Sequence, residues 1–184
     1  KIHTLYSESE CKLIARKVAA SLSNEAESKY LIEPNEIIEI EGVEKCAEEL
    51  AAGRPVQYVI GRAEFCGEEF LVREGVLIPR PETEELVMWA MECAEGTARP
   101  NILDVCTGSG CIAWTLALEM PGAKVTAVDI SDDALSVASS QDFSEETART
   151  GALAPSFIKA DVLAGPSASG LTGRFDILVS NPPY

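Results

Sequence analysis

A chain of 184 residues that is 46% hydrophobic and 24% charged has enough apolar material for one full domain or two small ones, and its composition is not that of a disordered segment. Thirty acidic residues stand against fifteen Lys and Arg, a formal charge of −15, which disfavours the phosphate contacts on which nucleic-acid binding depends. No apolar run approaches the ~18 residues of a membrane span, and six scattered cysteines without a C-x-x-C pair give neither a zinc site nor a disulfide framework, so a reducing compartment is expected.

The chain starts at Lys1, so no leader can be read, and His3, its single histidine, is expected at the surface. Ser7 and Glu10 form a capping-box pair, and Cys11, Ile14, Ala15, Val18 and Leu22 then recur at helical spacing. Lys12, Arg16 and Lys17 read as a solvated face of that helix, with Glu8 and Glu10 nearby. A second helix is predicted over residues 43–52, closed by Gly53. Residues 1–62 are therefore expected to form a small helical domain. Phe65, Phe70, Val72 and Val76 alternate with polar residues around Gly67 and Gly75, predicting a hairpin over 63–78 that links this domain to the next.

A third helix is predicted over 82–94, with Leu86, Val87, Ala90 and Cys93 on one side and acids crowding its N-terminus, where the helix dipole favours them. Residues 101–106 read as a buried strand, Thr107-Gly108-Ser109-Gly110 as a tight turn and 111–118 as an apolar helix. A strand over 124–129, a helix capped by Ser131 that runs through Leu135 and Ala138, and a strand over 156–159 follow. Residues 164–173, rich in Gly, Ser and Ala, read as a flexible loop before a last strand over 175–180. Four strand–helix alternations imply an α/β fold, a doubly wound and largely parallel sheet over 79–184.

The chemistry-bearing residues fall at the ends of these strands. Glycines at 108 and 110 let the backbone turn sharply and allow a ligand to approach with no Cβ in the way. Asp129 ends the next strand about 20 residues later, the spacing at which a carboxylate meets ribose hydroxyls. Such a loop serves NAD as well as S-adenosylmethionine. Asp104, however, suits a cationic sulfonium or ammonium better than a pyrophosphate. Asp161, at a third strand end, is a candidate acceptor for an adenine amino group. The chain closes on Asn181-Pro182-Pro183-Tyr184, which offers a carboxamide and a carbonyl with no N–H on the following two residues, a pattern suited to gripping an NH2 group.

Asp104-Val105-Cys106-Thr107-Gly108-Ser109-Gly110, Asp129, Ala160-Asp161-Val162 and Asn181-Pro182-Pro183-Tyr184, preceded by Ile78-Pro79-Arg80-Pro81-Glu82-Thr83-Glu84, resemble the release-factor glutamine N5-methyltransferases, the HemK family. The resemblance runs from about Pro55 to Tyr184 and departs at Cys106, where many members carry a glycine. It implies a Rossmann-like methyltransferase sheet with further strands after the fourth, and S-adenosylmethionine held by Asp104, Cys106, Thr107, Gly108, Ser109, Gly110, Asp129, Asp161, Val162 and Asn181. It also implies that Asn181, Pro182, Pro183 and Tyr184 receive the acceptor amide, with residues 79–83 nearby and Arg80 free to pair with Glu82 or Glu84. The expected partner is a peptide chain release factor, in the cytoplasm, with no metal and no membrane, the complete enzyme being a monomer. Adenine-N6 nucleic-acid methyltransferases share the closing tetrapeptide and remain an alternative, as does an NAD-dependent oxidoreductase.

Overall fold

Two compact units divide the chain at Arg62 and Ala63. The computed structural model describes residues 5–32, 39–165 and 171–183. His3, Tyr184 and the middle of the loop expected over 164–173 lie outside the described residues.

The first unit is helical: α1 (Glu8–Ser23), α2 (Lys29–Ile32), α3 (Val43–Ala51) and α4 (Val56–Ile60). Helix α1 starts where the sequence says it should. Ser7 Oγ accepts from Glu10 N and Glu10 Oε2 accepts from Ser7 N at 2.8 Å, so two first-turn donors are satisfied reciprocally. Ile14, Val18, Cys46 and Leu50 form the core of this unit. Ala15 and Leu22, expected on the same stripe, are exposed, because the buried seam follows the i, i+4 pair Ile14 and Val18 alone. Lys12 pairs with Glu8 at 2.7 Å, whereas Glu10 is used by the cap and Arg16 and Lys17 turn to Glu27. Helix α4 falls within residues 1–62, outside the two helices predicted there.

The second unit begins with the hairpin β1 (Arg62–Phe65) and β2 (Glu68–Leu71). Phe65 and Phe70 are fully buried in this unit's main core, edge-to-face with ring centroids 6.1 Å apart. From Phe70 the aromatic contacts continue through Phe143 to Trp114, each step 5.1 Å. Gln141 fixes β2 further, its Oε1 accepting from Leu71 N and its Nε2 donating to Leu71 O, both at 2.9 Å. The hairpin is thus an integral part of the second unit.

Helix α5 (Pro81–Cys93) opens with proline at its first position, where a missing N–H costs nothing. Its buried stripe is Thr83, Val87 and Ala90. Cys93, expected on that side, is exposed, since the buried line passes from Ala90 to Ala94 and leaves Cys93 beside it. Then come β3 (Asn101–Val105), α6 (Cys111–Glu119), β4 (Lys124–Asp129), α7 (Asp132–Ser139), α8 (Ser144–Thr150), β5 (Ser156–Lys159) and β6 (Ile177–Ser180). Ser131 caps α7 through Ala134 N, and the first strand of the sheet ends at Val105, one residue earlier than its apolar run suggests.

The four strands form one parallel sheet in the order β5-β4-β3-β6, a Rossmann-like α/β arrangement. Stepping from β3 to β4 to β5 in one direction with right-handed crossovers stacks the connecting helices on one face. There Ile102, Val125, Ala127 and Val179 pack with α6, Val87 and the hairpin. Helix α6 is buried nearly all round. Leu103 and Val128 face the other way, where among the described residues Ala160, Leu171 and Phe175 cover them.

Candidate functional site at the sheet's carboxyl edge

The strand order reverses beside β3. After moving outward through β4 to β5, the chain returns to the opposite side of β3 with β6. The connections diverge there, and open α/β sheets bind ligands in the crevice outside the carboxyl ends at such a point. Val105 is in register with Ser180 and with Val128. Cys106, Asp129 and Asn181 therefore lie at neighbouring strand ends, with Ala160-Asp161 beyond Asp129.

The glycine loop is held by four different bonds. Thr107 N donates to Val128 O at 3.1 Å, Gly108 N to Asp129 Oδ2 at 2.9 Å and Gly110 N to Thr107 O at 2.9 Å, while Ser109 O accepts from Gln141 Nε2 at 3.0 Å. The two glycines do different jobs. Gly108 has φ +57° and a Cβ built on it would meet nothing within 4 Å, so its open side faces space a ligand can enter. At Gly110, φ +82°, the same atom would come to 3.0 Å from Ala138 Cβ and 3.3 Å from Ala138 Cα, so this glycine serves the packing of α6 against α7. Cys106 also has positive φ, +61°. Burial pushes its thiol pKa up, with Asp129 and Asp104 adding to the effect and Ser180 opposing it, so the thiol stays protonated and is no nucleophile at neutral pH.

Asp129 is half-buried and accepts one backbone donor on each oxygen, Gly108 N on Oδ2 and Ser131 N on Oδ1 at 3.0 Å. A carboxylate has about four lone-pair sites, so each oxygen can accept one further hydrogen bond. Asp104 behaves otherwise. It is fully buried, and its Oδ2 accepts from Thr107 Oγ1 at 2.6 Å. Its Oδ1 has no hydrogen-bond partner; the Ala113 N–H favours the ionised form without completing a bond to it. Burial raises the Asp104 pKa to about 7, Thr107 opposing and Asp129 reinforcing the rise. Asp104 thus supports the loop from beneath.

Asp161 is exposed and caps the short 3-10 turn Val162–Ala164, its Oδ1 accepting from Leu163 N at 2.9 Å. Val162 is exposed as well. On the other side of the crevice, Ser180 Oγ donates to Val105 O at 2.7 Å and fixes the end of β6 against β3. Asn181 follows, half-buried, with Nδ2 donating to Thr83 Oγ1 at 3.0 Å. Pro182 and Pro183 are exposed. Glu84 accepts from Cys66 N at 2.9 Å, tying α5 to the hairpin turn instead of pairing with Arg80, which is exposed.

The structure thus brings Cys106, Gly108, Asp129 and Asn181 to one accessible edge, with Asp104, Thr107, Ser109 and Gly110 buried behind it and Asp161 and Val162 at its far end. Two contributors carry no sequence signal of their own, Gln141 and Ser180, while Thr83 lies in the 79–83 segment that the resemblance places near the acceptor, without its bond to Asn181 being readable. Among the described residues no group of His, Cys, Asp and Glu side chains could hold a metal ion, and no helix is long and apolar enough to cross a membrane.

The family model described as "Methyltransferase small domain" matches residues 85–184. A release factor glutamine methyltransferase of Chlorobaculum tepidum is 49% identical over 157 residues, covering 82% of this chain and 52% of the relative. One from Koribacter versatilis is 50% identical over 132 residues, 72% of this chain and 44% of the relative. The chain therefore spans about half the length of the curated relatives it matches. Among solved structures, a ribosomal protein L11 methylase of Lactobacillus delbrueckii subsp. bulgaricus aligns with a TM-score of 0.43 at 29% identity, over 60% of this chain and 51% of that one.

Proposed function

This chain belongs to the methyltransferase small domain family, and from that premise we propose that it transfers the methyl group of S-adenosylmethionine to the side-chain amide nitrogen of a glutamine in a peptide chain release factor. The observation that carries the reading is Asn181 at the switch-point crevice, its Nδ2 engaged by Thr83 and its carbonyl oxygen left to accept from an incoming NH2. The names of the relatives support the choice of acceptor, and the formal charge of −15 argues against a nucleic-acid one.

The residues fit the methyl donor. Gly108 leaves open space where the donor's chain would approach. The spare lone pairs of Asp129 suit ribose hydroxyls. The buried carboxyl beneath the loop, with one unpartnered oxygen, favours a cationic ligand, which would draw it to its ionised form, over a pyrophosphate, and this weighs against NAD. Asp161, with one oxygen free of the cap, and Val162 would hold the adenine end. When bound, S-adenosylmethionine supplies a methyl group on positively charged sulfur.

The chain's own contribution is positioning. An amide nitrogen is a poor nucleophile because its lone pair is delocalised into the carbonyl. Asn181 Oδ1 and the Pro182 carbonyl accept the two amide hydrogens and turn that lone pair toward the donor. Proline at 182 and 183 keeps competing backbone N–H groups out of the acceptor site. Holding two reactants in line contributes up to about 7–11 kcal/mol, more than any one hydrogen bond; once methylated, the amide nitrogen is strongly acidic and sheds one of its two hydrogens as a proton to water, so the chain needs no strong base before transfer. The enzyme acts in the cytoplasm on a protein substrate.

The test is direct. The full-length protein is incubated with radiolabelled S-adenosylmethionine and a release factor, with DNA as control and NADH binding measured beside the methyl donor. Label on a release-factor glutamine is expected. Label in DNA alone, or binding of NADH in place of the methyl donor, would overturn the reading.

A further inference from the structure

We infer that Thr83 is a positioning residue that sets which atom of the Asn181 carboxamide faces the acceptor; the inference rests on the reading of Asn181 as the group that receives the acceptor amide. The two residues are 98 apart in the chain and meet at 3.0 Å, Nδ2 to Oγ1. A carboxamide has a donor end and an acceptor end, and the acceptor nitrogen of a glutamine carries only hydrogens to give. An Asn181 turned the wrong way would present N–H to N–H. A hydroxyl can accept or donate; here Thr83 Oγ1 accepts from Nδ2, which leaves Oδ1 as the end of the carboxamide free for the acceptor.

The local sequence builds this contact. Arg80 is extended, φ −113° and ψ 143°, as a residue before proline must be, and Pro81 then starts α5 with its φ preset. Thr83 falls on the buried stripe with Val87 and Ala90 and is itself buried. Its backbone N donates to Arg80 O at 2.9 Å, which anchors the first turn. The neighbouring Glu84 points to the hairpin through Cys66 N. On the opposite side Asn181 cannot drift, because Ser180 is pinned to Val105. The hydroxyl therefore meets the carboxamide from a rigid helix start, and the segment around Thr83 and the closing Asn-Pro-Pro segment work as one device.

The test uses Thr83→Val, which keeps shape and removes the hydroxyl, and Thr83→Ser, which restores it. In the full-length protein Thr83→Val is expected to lower kcat for the glutamine acceptor by roughly 3- to 10-fold, the worth of one hydrogen bond. The affinity for S-adenosylmethionine is expected unchanged, with Thr83→Ser near wild type. Once Asn181 is Ala, Thr83→Val should have no further effect. An unchanged kcat in Thr83→Val, or full additivity with Asn181→Ala, would overturn the inference. A readout independent of the acceptor separates this from failure of the functional reading. The Asn181 side-chain NH2 signals, assigned by their disappearance in Asn181→Ala, should exchange slowly with solvent in the wild type and quickly in Thr83→Val. Fast exchange in the wild type refutes the positioning role whether or not a release factor is methylated.

Discussion

Replacing Asp104 by Asn isolates the least expected feature of the site, a carboxyl group with no exposure and one unpartnered oxygen. Its pKa rises from 3.8 to about 7 on folding, chiefly through burial. Between those values the folded chain binds a proton that the unfolded chain does not. The stability this group contributes is therefore fully present below the ordinary carboxylate range and is lost as pH rises through about 7. Three units correspond to about 4 kcal/mol over the whole range, of which about 2–3 kcal/mol falls between about pH 5 and pH 8. Asn cannot titrate. Urea unfolding of both proteins at the two pH values, extrapolated linearly, should show the wild type losing about 2–3 kcal/mol relative to Asp104→Asn at the higher pH. Titrating groups that do not interact with Asp104 cancel in that difference. Parallel pH profiles would refute the argument, because they would mean the buried carboxyl titrates at the same pKa in both states.

Asp129→Ala removes the acceptor for both Gly108 N and Ser131 N; calorimetry should show methyl-donor binding weakened by about 1.5–3 kcal/mol, the scale for hydrogen bonds to a charged group. Gly110→Ala drives a Cβ to 3.0 Å from Ala138 and should lower the melting temperature, by an amount that Gly108→Ala, with nothing within 4 Å, does not reach. Gly108→Ala should instead act mainly on methyl-donor affinity, by filling the side from which the ligand approaches.

The sheet is legible in the sequence because its strands are short apolar runs with a carboxylate, glycine or asparagine at the carboxyl end of each. The loop and the closing segment are legible for the same reason, since Gly108 and Gly110 need positive φ and two prolines cannot continue a strand. The burial of Asp104 is open to inference: Ile102 and Asp104 share a face by strand alternation, and that face is covered by the largely apolar α6. Other features are not local. Helix α8 has no buried residue and so no periodic stripe to announce it. Helix α4 is only five residues long. Gln141 reaches Leu71 and Ser109 across 70 and 32 residues, and Thr83 reaches Asn181 across 98. Such pairings are set by the fold and leave no mark on the spacing of either partner.

The central claim is that Asn181 acts on the acceptor at a crevice whose other side holds the methyl donor, and Asn181→Ala in the full-length protein tests it most directly. Measured side by side, S-adenosylmethionine affinity should stay near wild type while methyl transfer to the release-factor glutamine falls by about 2.7–4 kcal/mol, the cost of losing one transition-state hydrogen bond. Turnover close to wild type in the variant would contradict the account.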